Sequence, residues 1–272
     1  MAELLYVNRN PLKLRTGDCV YRGLLRQKSR SILRKRIHEM KLKHITFTGI
    51  DDKIDIPALQ NIQREHPYVE FGVLLSWSLQ GAERRYPSFQ TIRAFCDAGL
   101  NLSVHVCGSA ARHFAAGNTA VLDHLFAQVG KEHVTFKRMQ LNLAGFPAEE
   151  FAPLPTEYGP VGEIILQRMS AAEYGLYSAR LGDHPSILLD ASGGRGIDGP
   201  VEILEGPSKV GYAGGLGPDN AAEKLRRIME DDRIGDCWID MESHVRTMDW
   251  FDIVKVRRVL AACEPVIKRY QN

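Results

Sequence analysis

Residues that could move protons lie at the ends of short apolar runs in this sequence. Asp190 closes the run 187–189, where a carboxyl group would be costly to bury without a partner. His105 and Cys107 end another such run, and Asp52 follows a third. Carboxyl, imidazole and thiol groups are common general acids, bases and nucleophiles in enzymes. These four residues are therefore the candidate catalytic residues.

A second set of residues could bind a small molecule. Arg138, Gln140 and Asn142 alternate along one run, so their side chains point to one side of a strand. Arg138 on that side should be either salt-bridged near the base of the fold or part of the site. Arg85 lies in a polar loop and Arg195 in a glycine-rich one. The arginines indicate a small anionic ligand, although nearby glutamates could equally pair with them.

The clearest anion-binding pattern is the glycine-rich segment 214–217, which precedes a predicted helix. Small residues leave backbone N–H groups accessible beside a helix amino terminus, which suits a phosphate group. Ser243 and His244 follow a later strand, and Ser243 could donate to phosphate. Glu242 would repel phosphate if it faced the same pocket. We expect phosphate binding at Gly214, Gly215, Ser243 and His244.

Eight runs of β-forming residues alternate with helical stretches from residue 44 onward. The predicted strands are His44–Gly49, Tyr68–Ser76, Leu100–Cys107, Thr135–Leu143, Gly162–Arg168, Ser186–Asp190, Lys209–Ala213 and Cys237–Met241. The predicted helices are Ile56–His66, Ser88–Ala98, Ser109–Phe126, Ala171–Arg180, Asn220–Glu230 and Asp252–Cys263. This repeat predicts an α/β fold, a (β/α)8 TIM barrel over 44–272 with its active site at the carboxyl ends of the strands. An open doubly wound sheet is the alternative, but no dinucleotide-binding glycine pattern follows the first strand.

The composition of the 272 residues, 44% hydrophobic and 25% charged, is typical of a globular protein. No apolar run approaches the roughly 18 residues that span a bilayer, so no membrane partner is expected. Five scattered cysteines without CxxC pairs favour reduced thiols in a cytoplasm over a disulfide framework or a structural zinc site. We expect no cofactor and no metal. The sequence does not predict the oligomeric state.

The amino-terminal segment 1–43 differs from the rest of the chain. Residues 1–44 contain 12 Lys and Arg against three acidic residues, a net charge of +9, which leaves −7 for the remainder. We expect a basic extension that packs little against the barrel. The alternatives are a basic helix that contacts an acidic partner, or a chain that starts at Met40. Nucleic acid is not an expected partner.

Several segments, taken in order, resemble phosphoribosylanthranilate isomerase, the (β/α)8 enzyme of tryptophan synthesis, over most of Lys43 to Arg269. The Arg-Tyr-Pro-Ser turn at 85–88 is similar to the family's Ser-x-Arg-Tyr turn, and Met-Gln-Leu-Asn at 139–142 to its Val-Gln-Leu-His strand. Leu-Leu-Asp at 188–190 with Gly-Gly-Arg-Gly at 193–196 resembles its Leu-Leu-Asp and Gly-Gly-Thr-Gly. Segment 213–220 is similar to its Ala-Gly-Gly-Leu-Asn-Pro-Glu-Asn, and 240–245 to its Asp-Val-Ser-Ser-Gly-Val.

The resemblance implies an Amadori rearrangement, in which an aspartic acid protonates the ring oxygen of an aminoribose and a cysteine thiolate removes the C2 proton. It places the general acid at Asp190, a substrate carboxylate at Arg85, and phosphate at Gly214, Gly215 and Ser243. The family's cysteine is replaced by Thr48, whose hydroxyl is far too weak a base at neutral pH. His244 replaces a family glycine and is expected to crowd the phosphate loop.

Three hypotheses follow. The first is an isomerase of a related phosphorylated aminosugar, with the base moved to Cys107, His105 or Asp52. The second is a lyase or epimerase of a different anionic ligand. The third is a non-enzymatic barrel that binds a metabolite or a protein partner. Each base candidate also has a structural interpretation: Cys107 as a buried hydrophobic residue, His105 as a donor to a backbone carbonyl, and Asp52 as a helix cap.

Overall fold

Eight parallel strands close into a barrel, as predicted. The structure is a computed structural model. It describes residues 41–271 except 131, 144, 156–157, 160, 169, 173–185, 191, 193–194, 198 and 205–208. In chain order the strands are β1 (Leu42–Thr48), β2 (Val69–Ser76), β3 (Leu102–Cys107), β4 (Arg138–Leu141), β5 (Glu163–Arg168), β6 (Ser186–Asp190), β7 (Lys209–Ala213) and β8 (Asp236–Met241). Each pairs with the next, and β8 pairs with β1.

Helices cover the outside of the barrel, and a short hairpin follows β8. The helices are α1 (Ile56–Glu65), α2 (Phe89–Asp97), α3 (Gly108–Ala115), α4 (Ala120–Val129), α5 (Ala221–Glu230) and α6 (Ile253–Gln271). The hairpin strands are β9 (Arg246–Thr247) and β10 (Trp250–Phe251). Ser88 caps α2, since its side chain accepts a hydrogen bond from the Thr91 amide.

Side chains alternate along the strands between an apolar layer outside the barrel and a largely polar set of residues inside it. On β1, Ile45 and Phe47 belong to the main hydrophobic core, whereas Thr46 and Thr48 are buried polar residues that bond to side chains of other strands. A separate apolar cluster of Ile165, Leu188 and Trp238 lies among the inward residues. The interior therefore has an apolar layer with polar groups on both sides of it.

Arg138 is salt-bridged inside the barrel, the first of the two alternatives that its position allowed. Its Nε donates to Glu70 Oε2 at 2.8 Å and its Nη2 to Glu70 Oε1 at 2.6 Å. The guanidinium also stacks over Trp238. With Lys43 and Lys209, Arg138 lines a cavity at the amino ends of the strands, so it is not among the residues at the carboxyl-terminal pocket.

Three sequence predictions differ from the structure by more than two residues. The helix expected over Asp252–Cys263 is α6, which continues through Pro265 to Gln271. The helix expected over Ser109–Phe126 is two helices, α3 and α4, because Gly117 adopts a left-handed conformation (φ +84°) and Asn118 accepts from the Ala120 amide. Strand β4 is shorter than Thr135–Leu143, since it pairs over only four residues.

Some predictions fall outside the described residues. Segment 1–40 and most of the helix Ala171–Arg180 lie there. The first described residue, Lys41, is buried, and its ammonium donates to the carbonyls of Met229 and Asp231. The four described cysteines, Cys96, Cys107, Cys237 and Cys263, are free thiols. Among the described helices, none has the length and apolar character needed to cross a bilayer.

Candidate active site

A cleft of about 520 Å³ opens at the carboxyl ends of the strands. Its described lining is mostly polar and comes from seven of the eight strands and the loops that follow them: Thr48, His105, Gln140, Asn142, Gln167, Leu188, Asp190, Ser192, Gly196, Ala213, Gly214, Gly215, Leu216, Asp240, Met241, Glu242, Ser243 and His244. Eight of the candidate site residues line it: His105, Gln140, Asn142, Asp190, Gly214, Gly215, Ser243 and His244. Thr48, which the resemblance aligned with the family's cysteine, lines it as well. The cleft lies where active sites of (β/α)8 barrels are found.

Asp240 is a buried carboxyl group in this cleft. It is an inward residue of β8, and its Oδ1 accepts a hydrogen bond from Thr48 Oγ1 at 2.7 Å. Its Oδ2 lies 3.8 Å from His105 Nδ1. Gly72 makes room for this cluster, because a Cβ there would lie 2.4 Å from Thr48 Oγ1 and 2.9 Å from His105 Nε2. Glycine on β2 thus permits three polar side chains to converge.

The two titratable groups of this cluster have shifted pKa values. Burial raises the pKa of Asp240 to about 7; the Thr48 hydrogen bond opposes the shift, and Glu242 adds to it. Burial also lowers the pKa of His105 to about 4, so its ring is neutral at pH 7. The contact between Asp240 and His105 is therefore not an ion pair. Asp240 can exchange a proton near neutral pH, as a general acid or base must.

Asp190 is the second buried carboxyl group of the cleft. Gln167 Nε2 donates to its Oδ2 at 2.8 Å, and the amide and hydroxyl of Ser192 donate to its Oδ1 at 3.0 and 2.6 Å. These bonds hold the carboxyl group at the mouth of β6. Asp190 therefore lies in the cleft and also anchors the loop after its strand.

The amide pair on β4 meets Cys107. Gln140 Nε2 donates to Asn142 Oδ1 at 2.8 Å, and Asn142 Nδ2 donates to Cys107 Sγ at 3.2 Å. Burial raises the pKa of Cys107 to about 12, so the thiol keeps its proton at neutral pH. Both amides line the cleft, whereas Cys107 is not among its described lining residues.

The glycine-rich segment forms one wall of the cleft. Gly214 and Gly215 have left-handed backbone angles (φ +95° and +62°), which glycine adopts without strain. Asn220 fixes the loop, accepting from the Gly217 amide at 2.9 Å and donating to the Gly215 carbonyl at 2.9 Å. A turn separates the two glycines from α5.

His244 packs against the same loop without a clash. Its Nδ1 lies 2.8 Å from the Gly215 carbonyl oxygen, and since a carbonyl only accepts, Nδ1 is the donor. A Cβ at position 217 would lie 2.6 Å from His244 Cβ, so glycine there provides the space. The expected crowding of the loop is relieved by Gly217.

Asp52, Arg85 and Arg195, which the sequence suggested as site residues, are not among the described lining residues, and each is held by other groups of the protein. Asp52 accepts from the amide and hydroxyl of Ser88 at 2.9 and 3.0 Å, so it joins the first loop to the cap of α2. Arg195 Nε donates to the Ser192 carbonyl at 2.7 Å. Arg85 forms ion pairs with Glu242 and Asp249, each at 2.7 Å. Arg195 and Arg85 thus contact residues of the cleft, Ser192 and Glu242, whereas Asp52 does not.

Asp240 and Gln167 are the site residues that the sequence-based candidates omitted. In the sequence Asp240 belongs only to the motif at 240–245, and its neighbours in sequence do not indicate a raised pKa. The alternation of side chains along β8 and β5 would have identified both residues as facing the barrel interior. Asp236, Trp238 and Asp240 share one side of β8, as Glu163, Ile165 and Gln167 do on β5.

The closed barrel and its cleft define a (β/α)8 barrel protein with two buried carboxyl groups in a polar site. Solved structures are similar to it. N-(5'-phosphoribosyl)anthranilate isomerase from Pyrococcus furiosus has a TM-score of 0.50 at 13% identity, covering 83% of this chain and 99% of that one. The Thermotoga maritima phosphoribosyl anthranilate isomerase gives 0.49 at 14%, covering 82% and 98%. D-psicose 3-epimerase from Clostridium cellulolyticum H10 gives 0.37 at 11%, covering 85% and 98%.

The sequence itself matches no family model and no curated protein. At 13% identity the structural likeness establishes the fold alone. The function must therefore be argued from the groups in the cleft.

Proposed function

We propose that this barrel is an isomerase or epimerase of a small hydroxylated phosphate ester, with Asp240 as the base and Asp190 as the acid. The observation that carries the proposal is the buried Asp240 carboxyl group, whose pKa of about 7 suits proton transfer at neutral pH. Asp190 lines the same cleft. Thr48, at the position of the family's cysteine, serves as a donor that orients Asp240.

The reaction that these groups support moves one proton off carbon and another onto oxygen. Asp240 removes the hydrogen next to a carbonyl or imine carbon, and the electron pair of that C–H bond forms a C=C bond. Asp190 gives its proton to the oxygen that receives the negative charge. To give an isomer, Asp240 returns its proton to the former carbonyl or imine carbon while Asp190 takes the proton from the hydroxyl group of the first carbon, which restores both carboxyl groups. To give an epimer, solvent protonates the opposite face of the first carbon, Asp190 takes its proton back from the enol oxygen, and Asp240 releases its proton to solvent.

The phosphate of the substrate is assigned to the wall built by Gly214, Gly215, Ser243 and His244. All four residues line the cleft, and two glycines allow close approach of a ligand to the backbone. Glu242 lines the same cleft, but its ion pair with Arg85 at 2.7 Å offsets the repulsion that its carboxylate would exert on phosphate. The seventh and eighth loops of such barrels are a frequent phosphate site. The free thiols of the described residues suit the cytoplasm, where we place this reaction.

Proton exchange tests the proposal without knowledge of the natural substrate. A panel of aldose and ketose phosphates is incubated with the full chain in D2O, and deuterium at carbon is measured by NMR. We expect exchange with at least one sugar phosphate, its loss in Asp240→Asn and Asp190→Asn, and retention of inorganic phosphate binding in both.

Asp236→Asn is the matched control, because Asp236 lies on the same strand at the opposite end of the barrel. Exchange that survives in Asp240→Asn would contradict the assigned base. Phosphate binding without exchange for any sugar would favour a barrel that binds a metabolite without reaction.

A further inference from the structure

The Arg85 guanidinium is already paired with carboxylates of the chain. Its Nη1 donates to Glu242 Oε1 and its Nε to Asp249 Oδ1, each at 2.7 Å. Burial opposes the charge of Arg85, but Glu242 and Asp249 outweigh it and raise its pKa. Nη1 also lies 3.4 Å from Ser243 Oγ, which places the guanidinium beside the proposed phosphate wall. The cation is thus neutralised before a ligand binds.

The two carboxylates differ in their position relative to the cleft. Glu242 lines it, directly after β8, whereas Asp249 lies in the β9–β10 hairpin and is not part of the described lining. Glu242 is therefore the partner of Arg85 that faces the space a ligand would fill.

The charge of the described lining points in the same direction. It includes three carboxyl groups, Asp190, Asp240 and Glu242, and neither lysine nor arginine. Its other polar side chains are the neutral amides and hydroxyls of Gln140, Asn142, Gln167, Thr48, Ser192 and Ser243, with two histidines. A ligand carboxylate in this part of the cleft would find neither lysine nor arginine among the described lining residues, and it could reach Arg85 only by displacing Glu242.

We infer that Glu242 determines specificity by occupying Arg85, so that the ligand presents hydroxyl or amino groups, and no carboxylate, to this side of the cleft. Carboxylate and amide oxygens accept hydrogen bonds from such groups. The inference rests on the proposed function and narrows its substrate class to a neutral or amino sugar phosphate. This assignment differs from the resemblance, which implied that Arg85 binds a carboxylate of the substrate.

Ligand titrations of the full chain followed by NMR test this specificity. The probes are glucosamine 6-phosphate, 6-phosphogluconate, gluconate and inorganic phosphate. Comparing their affinities distinguishes the contribution of the carboxylate or amino group from that of the phosphate. We expect wild type to prefer glucosamine 6-phosphate to 6-phosphogluconate and to bind gluconate very weakly. Glu242→Ser and Glu242→Gln should each raise the affinity for gluconate and 6-phosphogluconate by roughly 10- to 100-fold, because Arg85 Nη1 becomes available to a ligand carboxylate.

Asp249→Asn is the matched control, since it removes the partner of Arg85 that lies outside the described lining. It should leave gluconate affinity within about twofold of wild type, a change of less than 0.5 kcal/mol by the conversion between affinity and free energy. Thermal midpoints show whether each variant folds.

Two results would overturn the inference. One is gluconate binding to wild type as tight as to the Glu242 variants, and the other is no gain in either Glu242 variant that folds. Gluconate carries no phosphate, so this arm decides the role of Glu242 by itself. Inorganic phosphate decides the phosphate wall separately, and a failure there would count against the proposed function.

Discussion

Thr48 Oγ1 donates a hydrogen bond to Asp240 Oδ1 at 2.7 Å across the β1–β8 seam of the barrel. The hydroxyl is too weak a base to remove a proton from carbon, but as a donor it fixes one oxygen of a carboxyl group that can. The other oxygen, Oδ2, remains beside His105. A threonine at this position is thus compatible with acid–base chemistry by a residue of the neighbouring strand.

Thr48→Val should impair catalysis without removing the base. The variant lacks the hydrogen bond that lowers the pKa of Asp240, so that pKa should rise above about 7 and the pH dependence of kcat/KM should move to higher pH. We expect kcat/KM at pH 7 to fall by roughly 10-fold or more. Thr48→Ser keeps the donor and should behave as wild type. An unchanged pH profile in Thr48→Val would argue against this role.

The pH dependence of turnover should follow Asp240. If it acts as the base, kcat/KM rises about tenfold per pH unit below about pH 7 and levels off above it. Stopped assays from pH 5 to 9 on the substrate found by deuterium exchange measure this. A profile that falls through pH 7 would instead identify Asp240 as the acid.

Stability should show the opposite trend for the same group. The pKa of Asp240 is higher in the folded chain, about 7, than its ordinary value of 3.8, so the folded state binds the extra proton in this window. The free energy of unfolding should therefore decrease as pH rises from about 4 to about 7, by at most about 4 kcal/mol. Asp240→Asn should flatten this dependence and be more stable than wild type at pH 8. Denaturant titrations at pH 5 and 8 test it, with Asp232→Asn, a change at an exposed position, as the control.

The buried pair of Arg138 and Glu70 should behave as a structural element. Glu70→Gln or Arg138→Met should each lower the free energy of unfolding by about 3 to 5 kcal/mol, since one buried charge loses its partner. The double variant should recover most of this loss. Because Arg138 holds the pKa of Glu70 below its usual 4.5, wild type should lose this stabilisation as pH falls below about 4.5. Denaturant unfolding measures all three variants, and a specific loss of ligand binding in folded Arg138→Met would contradict the assignment.

Gly72→Ala should disturb the cleft from the neighbouring strand. The added Cβ would lie 2.4 Å from Thr48 Oγ1, so the hydroxyl must move away from Asp240. We expect a loss of about 1 to 3 kcal/mol in stability together with reduced turnover. Gly162→Ala is the control, because its Cβ would lie 3.8 Å from the nearest atom and its backbone angle is not left-handed. Equal effects in both variants would point to a general glycine effect.

The barrel itself could be predicted from sequence, because alternation and spacing depend on local residues. All eight strands were placed within three residues of their bounds. The glycine-rich segment and Asp190 also line the cleft, as their positions after β7 and at the end of β6 suggested. The single-helix prediction for Ser109–Phe126 was wrong because Gly117 was not recognised as a helix terminator.

The chemistry of the cleft depends on contacts that sequence does not display. Arg85 and Glu242 are separated by 157 positions, and nothing near either residue in the sequence signals that they pair. Asp240 gains its raised pKa from burial, which becomes visible only once the barrel closes. Cys107 illustrates the reverse case, where burial makes a reactive residue type inert.

The contact between Gly217 and His244 couples what these two positions of the cleft wall can carry. A Cβ at 217 would lie only 2.6 Å from His244 Cβ, so side chains at both positions exclude each other on this backbone. A chain that keeps this backbone can therefore carry a side chain at one of the two positions but not at both. Positions 217 and 244 should show covariation among relatives of this chain, because the constraint acts on the pair and not on either residue alone.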